Sequence, residues 1–257
     1  MDQLWKYVPG VMWDYESIPD NVEYVERPEL MMYRTKGSSS ILSNKVVKVK
    51  VESVEEFLAL SREIEHFYDE NPFSWWVGPD SAPEDLVLKV QSLGLEYEDT
   101  YYGLVKVVDR WEKVEMPYAV GSVVDEQDVR HFVDVAAKIW GYDDATKETL
   151  VRQRLEYLRD PKCRGGFLIV MDGTRAVGYA GYRFSTDGEA MYLAGTGVLA
   201  EYRKQGIYHA LLSKRMELAS SYGSNWLVTQ ARKGTSEPIL RKLGFEDSGK
   251  YEVFKRS

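Results

Sequence analysis

Arg203, Lys204 and Gly206 stand where the chain changes character. Before them, Ala190 to Leu199 is apolar at nearly every position and holds Gly195 and Gly197, the pattern of a strand buried on both faces. After them the period becomes helical: Ile207, Tyr208, Leu211, Leu212, Met216 and Ala219 fall on one half of a helix, and His209, Ser213, Lys214, Glu217 and Ser220 on the other. A strand, a basic turn with a glycine and a helix start together make an anion site. The first-turn amides of a helix lack internal acceptors, and its dipole favours negative charge there. Gly206 lets the backbone approach such a group without a Cβ in the way, and Arg203 and Lys204 add charge. The chemistry indicated is recognition of a phosphorylated ligand.

The segment Val198 to Leu212, VLAEYRKQGIYHALL, resembles the acetyl-CoA pyrophosphate loop of the GCN5-related N-acetyltransferase (GNAT) superfamily. That family's pattern is Arg/Gln-x-x-Gly-x-Gly/Ala, entered from a strand. Arg203, Gly206 and the strand valine Val198 match it, whereas Tyr208 replaces the last small residue. Leu243-Gly-Phe245 resembles the "Leu-Gly-Phe" that follows the family's last helix. A competing pattern overlaps these residues: Gly195 to Ala200 spells G-x-G-x-x-A, the dinucleotide fingerprint. That fingerprint must open a helix directly. Here the glycines lie within the apolar run and the helix starts near Gly206, so the dinucleotide reading is rejected.

The whole chain has room for these parts. Its 257 residues, 44% hydrophobic and 13% aromatic, support one large domain or two smaller ones. The formal charge of -8 argues against a nucleic-acid surface, and the basic group Arg203, Lys204, Lys214 and Arg215 suits one nucleotide-like ligand. One cysteine, Cys163, excludes an internal disulfide framework, and three histidines make a His-based zinc site an unfavoured reading, so no metal is expected. The first residues carry no signal-peptide pattern and no long apolar run occurs, so no membrane association and a cytoplasmic location are expected.

Positioning elements follow in order. Trp5 to Tyr15 reads as a helix or aromatic lead-in, Val46 to Val51 as a half-exposed strand, and Ser53-x-x-Glu56 as a capping box opening a helix through Phe67. Pro72 to Val77 is a strand, Pro83 to Leu93 a helix, and Tyr97 to Val108 a hairpin or irregular strand pair. A polar joint at 112–117 divides the chain into 1–115 and 116–257. Beyond it come a strand from Tyr118, helices Asp125–Trp140 and Thr146–Leu158, strands Phe167–Met171 and Ala176–Phe184 with a turn at Asp172-Gly173, and the strand Ala190–Leu199. After its helix follow the strand Trp226–Gln230, the helix Ser236–Leu243 and a closing strand pair from Phe245 to Phe254.

This order resembles that of a GNAT domain over 116–257, which implies an α/β fold with a mixed, mostly antiparallel central sheet flanked by helices. Trp76 to Gly94 repeats the strand–loop–helix–Leu-Gly pattern of Trp226 to Gly244 at a constant offset of 150 residues. Residues 1–115 therefore read as a degenerate GNAT-like copy without the Arg-x-x-Gly loop, giving two tandem GNAT-like domains, with chance similarity of two strand–helix units as the competing reading.

The resemblance implies acetyl-CoA as cofactor. Val198, Arg203, Lys204, Gln205, Gly206, Ile207 and Tyr208 would bind it, Val198 through backbone pairing with the pantetheine arm. Thr196 would face the acetyl carbonyl, with Tyr192 and Glu189 as the nearest candidates for proton chemistry. The family's tyrosine acid falls at Leu240, which leaves Ser236, Tyr192 or solvent to protonate the thiolate. The implied activity is direct acetyl transfer to a small-molecule amine in a ternary complex by a monomer or homodimer. The alternative is a non-catalytic acyl-CoA-binding protein.

Overall fold

The computed structural model describes residues 4–10, 21–109 and 116–257; Met12, Trp13, Tyr15 and the joint at 112–115 lie outside them. The described residues form two compact units, one built from 4–9, 21–105 and 230–257 and the other from 10, 106–109 and 116–229. These units are not coextensive with 1–115 and 116–257, because the last 28 residues, 230–257, pack into the first unit.

In the first unit, a short helix α1 (Tyr7–Gly10) precedes a sheet ordered β1 (Val22–Glu26), β2 (Leu30–Thr35), β3 (Asn44–Val49), β4 (Phe73–Val77), β12 (Glu246–Arg256) and β5 (Glu96–Val107). Helix α2 (Val54–Tyr68) begins with the expected serine cap, the Ser53 hydroxyl accepting the Glu56 N–H at 3.1 Å, while the Glu56 carboxylate reaches one residue beyond the capping-box position and accepts the Glu52 N–H at 2.8 Å. Its Phe57, Leu60, Ile64 and Tyr68 pack on Leu30, Val46, Phe73 and Trp75 with α3 (Leu86–Ser92). The final strand of the chain lies between β4 and β5, pairing antiparallel with both.

Two expected strand pairs are single strands here. Residues 96–107 form one strand because Gly103 serves close approach rather than a turn: a Cβ there would meet Ser248 Oγ at 2.8 Å and the Tyr251 ring at 3.2 Å. The closing segment is likewise one strand, bulged beside Gly249. The hairpin β1–β2 had no expectation attached to it.

Strands β3 and β4 run parallel through Lys45–Ser74 and Val46–Trp75 and then part. The chain itself fills the opening: Ala82 donates its N–H to the Val49 carbonyl at 2.9 Å and accepts the Val51 N–H at 3.2 Å.

The second unit has the sheet β11 (Trp226–Arg232), β9 (Ala190–Tyr192), β8 (Arg175–Phe184), β7 (Gly165–Asp172), β6 (Ala119–Ser122), with β10 (Thr196–Val198) paired to β8. Helices α4 (Glu126–Trp140) and α5 (Asp144–Arg159) cover one face through Val129, Phe132, Val133 and Val151; α6 (Ile207–Tyr222) covers the other through Ile207 and Leu211. Among the described residues no helix is long and apolar enough to cross a membrane.

Lys45 is 6% exposed, with its Nζ 4.2 Å from the centroid of the Trp76 ring, and burial pulls its pKa down to about 7. Unfolding lets the amine take up a proton at any pH between about 7 and its ordinary value of 10.5, so this residue penalises folding fully below pH 7 and not at all above 10.5. Lys45→Met is therefore expected to raise the melting temperature at pH 7, with the advantage over wild type shrinking as pH approaches 10; a pH-independent difference in thermal melts would contradict this.

Candidate active site

The apolar run 190–199, expected as one strand, is two. Leu193 still belongs with β11: its N–H donates to the Val228 carbonyl at 2.8 Å, and its carbonyl accepts the Thr229 hydroxyl at 3.1 Å. Gly195 belongs with β8, its carbonyl accepting the Gly181 N–H at 3.1 Å. The strand thus forks at Ala194.

Beyond the fork, Leu199 N–H donates to Val177 O at 3.0 Å, so the residues bonded to β8 are the odd-numbered ones. Alternation in an antiparallel ladder then turns the N–H and C=O groups of Thr196 and Val198 away from β8, onto the edge that β10 leaves open. The outward Val198 carbonyl accepts Arg203 Nε at 3.2 Å. Gly197 is glycine because of what lies behind it: a Cβ would meet the Tyr179 ring at 2.4 Å and Ile139 Cδ1 at 2.8 Å. Tyr179 is fixed in turn by the Trp140 indole N–H, 2.7 Å from its hydroxyl.

The turn between β10 and α6 is held by its own side chains. Glu201 pairs with Arg175, Tyr202 donates its hydroxyl to Asp172 at 2.8 Å, and the Gln205 side-chain carbonyl accepts the Tyr118 hydroxyl. Tyr118 also meets the Tyr202 ring edge-on at 5.8 Å. Lys204 at φ 63° and Gly206 at φ 82° bring the chain to the helix in left-handed backbone conformations. Ile207 docks the helix start against Gly178, where a Cβ would stand 3.0 Å from Ile207 Cγ2.

Helix α6 has no side-chain cap at Gly206, and its first internal bond is Ala210 N–H to Gly206 O at 3.0 Å. The amides of Ile207, Tyr208 and His209 have no acceptor among the described residues. Lys204 is exposed and forms no ion pair among them. This is a preformed cationic cradle for an anion, continuous with the open edge of Thr196 and Val198.

The other expected residues are placed as follows. Tyr192 ends β9, buried immediately before the fork. Glu189 precedes the opposite end of β9, exposed, its carboxylate accepting the Asn225 amide at 2.6 Å and its carbonyl the Asn225 N–H at 2.9 Å. Ser236 lies in the first unit and accepts the Arg232 N–H at 3.1 Å. Leu240 is 2% exposed. Cys163 Sγ rests 3.1 Å from the Gly165 carbonyl. Arg215, expected in the basic surface group, is buried at 1% exposure. The anchoring pairs of the turn had no local sequence signal, since Tyr118 and Gln205 are 87 residues apart. Among the described residues no group of three or more His, Cys, Asp or Glu is placed to hold a metal.

Comparison with known proteins gives a consistent result. The sequence model of the "Acetyltransferase (GNAT) family" matches residues 129–245. A GCN5-related N-acetyltransferase from Kribbella flavida superposes with a TM-score of 0.67 at 17% identity, covering 91% of this chain and 88% of that one. A GCN5-related N-acetyltransferase from Sphaerobacter thermophilus gives 0.66 at 14% identity, covering 96% and 84%. A tandem GNAT protein from the clavulanic acid biosynthesis pathway gives 0.65 at 12%, covering 93% and 84%. A search of curated proteins by sequence found no match.

Gly206→Ala meets no neighbour within 4 Å, so its cost is conformational, about 1 kcal/mol for an L-residue held at φ 82°. A melting temperature lower by roughly 2–4 °C is expected; an unchanged melt would show that the turn relaxes freely.

Proposed function

We propose that this chain is a member of the acetyltransferase (GNAT) family and transfers an acetyl group from acetyl-coenzyme A to the amine of a small-molecule acceptor. The observation that carries the reading is the continuity of two features: free amides at a helix start beside Lys204, and an open strand edge at Thr196 and Val198. The first fits a diphosphate and the second an extended arm bearing amides, the two parts of coenzyme A that a protein must hold.

When bound, acetyl-coenzyme A supplies a thioester: the C–N bond to the acceptor forms, the C–S bond breaks with its electron pair on sulfur, and the amine proton is released. The chain's own residues bind and orient. The amides of Ile207 to His209 and the Lys204 ammonium hold the diphosphate, worth most where charge-assisted. The Val198 carbonyl, which accepts Arg203 Nε in this structure, would hold an amide of the arm. The outward Thr196 N–H donates to the acyl oxygen, where its fixed direction supports developing charge. Tyr192, two residues before the fork, and Thr196 itself carry the hydroxyls close in sequence to the proposed reacting centre.

One site per chain is proposed. In the first unit the matching opening between β3 and β4 is filled by Ala82, and the following helix start is closed by Ser53 and Glu56. Its first turn carries Glu55 and Glu56 where the second unit has neither acid. Capping and negative charge both disfavour a phosphate there. The 810 Å³ cavity beside it is lined by Glu29, Glu52, Glu56 and Glu63 together with Arg27 and Lys50.

Titration calorimetry with coenzyme A is expected to give one molecule per chain, with Lys204→Glu weakening binding roughly tenfold, about 1.4 kcal/mol, and Glu56→Gln leaving it unchanged. Two molecules per chain, or indifference to Lys204, would overturn the assignment of the site. Thiol release from acetyl-coenzyme A with a panel of small primary amines tests the acceptor class; release with lysine-bearing peptides alone would contradict it.

A further inference from the structure

Arg215 is among the largest fully buried side chains of the molecule, and no carboxylate pairs with it among the described residues. Its donors reach carbonyls only. Nε donates within α6 to Leu211 O at 3.2 Å, and Nη1 lies 3.4 Å from Gly181 O and 3.5 Å from Ala194 O. Nη2 is buried with no partner among the described residues. Burial pulls the guanidinium pKa down to about 10, and Tyr208, on the same face of α6, is the titratable group that acts on it electrostatically.

A buried charge without a counter-ion costs stability, and an apolar side chain of similar size is often neutral or better in such a place. What distinguishes this charge is its location. Ala194 is the residue at which the strand divides between β8 and β11, and Gly181 is the β8 partner of the first residue past the fork. The guanidinium therefore lies at the root of the fork, beside the segment whose Thr196 amide is directed outward. Position 240, where the family's pattern has a tyrosine acid, is an apolar buried leucine.

We propose that Arg215 is a positioning residue for acyl transfer: it fixes the Ala194 fork and sets a positive field there that favours negative charge on the leaving sulfur, in place of a tyrosine acid. This rests on the functional reading above. The role is electrostatic and conformational, since Nη1 is committed to the two backbone carbonyls and Nη2 is closed to solvent. An opposite charge within about 4–6 Å favours the ionised form of a group by about one pH unit or more.

The test uses the full chain with coenzyme A bound, following the ultraviolet absorbance of the thiolate against pH in wild type, Arg215→Met and Arg215→Lys. The thiol midpoint is expected about one pH unit lower in the wild-type complex than in the Arg215→Met complex, with Arg215→Lys close to wild type. Arg215→Met is further expected to melt no lower than wild type while its kcat falls about tenfold at little-changed KM. Equal thiol midpoints in all three complexes would overturn this inference while leaving the transferase reading intact. A melting temperature well below wild type in both variants would also overturn it, by making the guanidinium a structural prop. Absence of any coenzyme binding by wild type would remove the transferase reading and this inference with it.

Discussion

A helix cannot satisfy its own first amides, and among the described residues neither a side-chain cap nor a neighbouring strand does so in α6. The rest of the second unit is arranged around that deficit. Gly178 lets Ile207 dock, Gly206 supplies the turn into the helix, and Tyr118, Asp172 and Arg175 hold the preceding loop. Holding Gln205, Tyr202 and Glu201 in this way leaves Lys204 exposed in the turn beside Arg203, whose Nε donates to the Val198 carbonyl. The cradle is built before any ligand arrives, which spares binding the cost of ordering it.

The first unit shows what the same junction becomes when that deficit is met internally. There the strand leads into a helix closed by Ser53, with Glu56 reaching back to the Glu52 amide and acids in the first turn. Its sheet opening is stitched by Ala82 between Val49 and Val51. The two junctions share a plan and differ in a handful of side chains, and those side chains decide the sign of the local field. A glycine and a lysine leave one open to an anion, whereas a serine and glutamates close the other.

The strand-to-helix junction was legible in the sequence because it joins two periods, and Gly195 and Gly197 stand in the run that leads into it. They did not say where the strand would divide, because that depends on pairing with β8 and β11, which are distant in sequence. The insertion of β12 between β4 and β5 was illegible for the same reason: strand pairing across the length of the chain leaves no local mark. The hairpin expected over 97–108 is one strand because Gly103 admits Tyr251, a contact set by pairing with β12 that leaves no local mark. Arg215 misled by type. Its spacing from Tyr208 and Leu211 places it on the apolar side of α6, and there periodicity was the better guide than charge.

The account stands or falls on the amides that open α6. Backbone amide resonances of Gly206 to His209, followed by NMR during addition of coenzyme A, test this directly. Downfield shifts at these amides that saturate together, as each gains an acceptor, are the predicted result. Saturating shifts elsewhere in the chain with these four unmoved would contradict it.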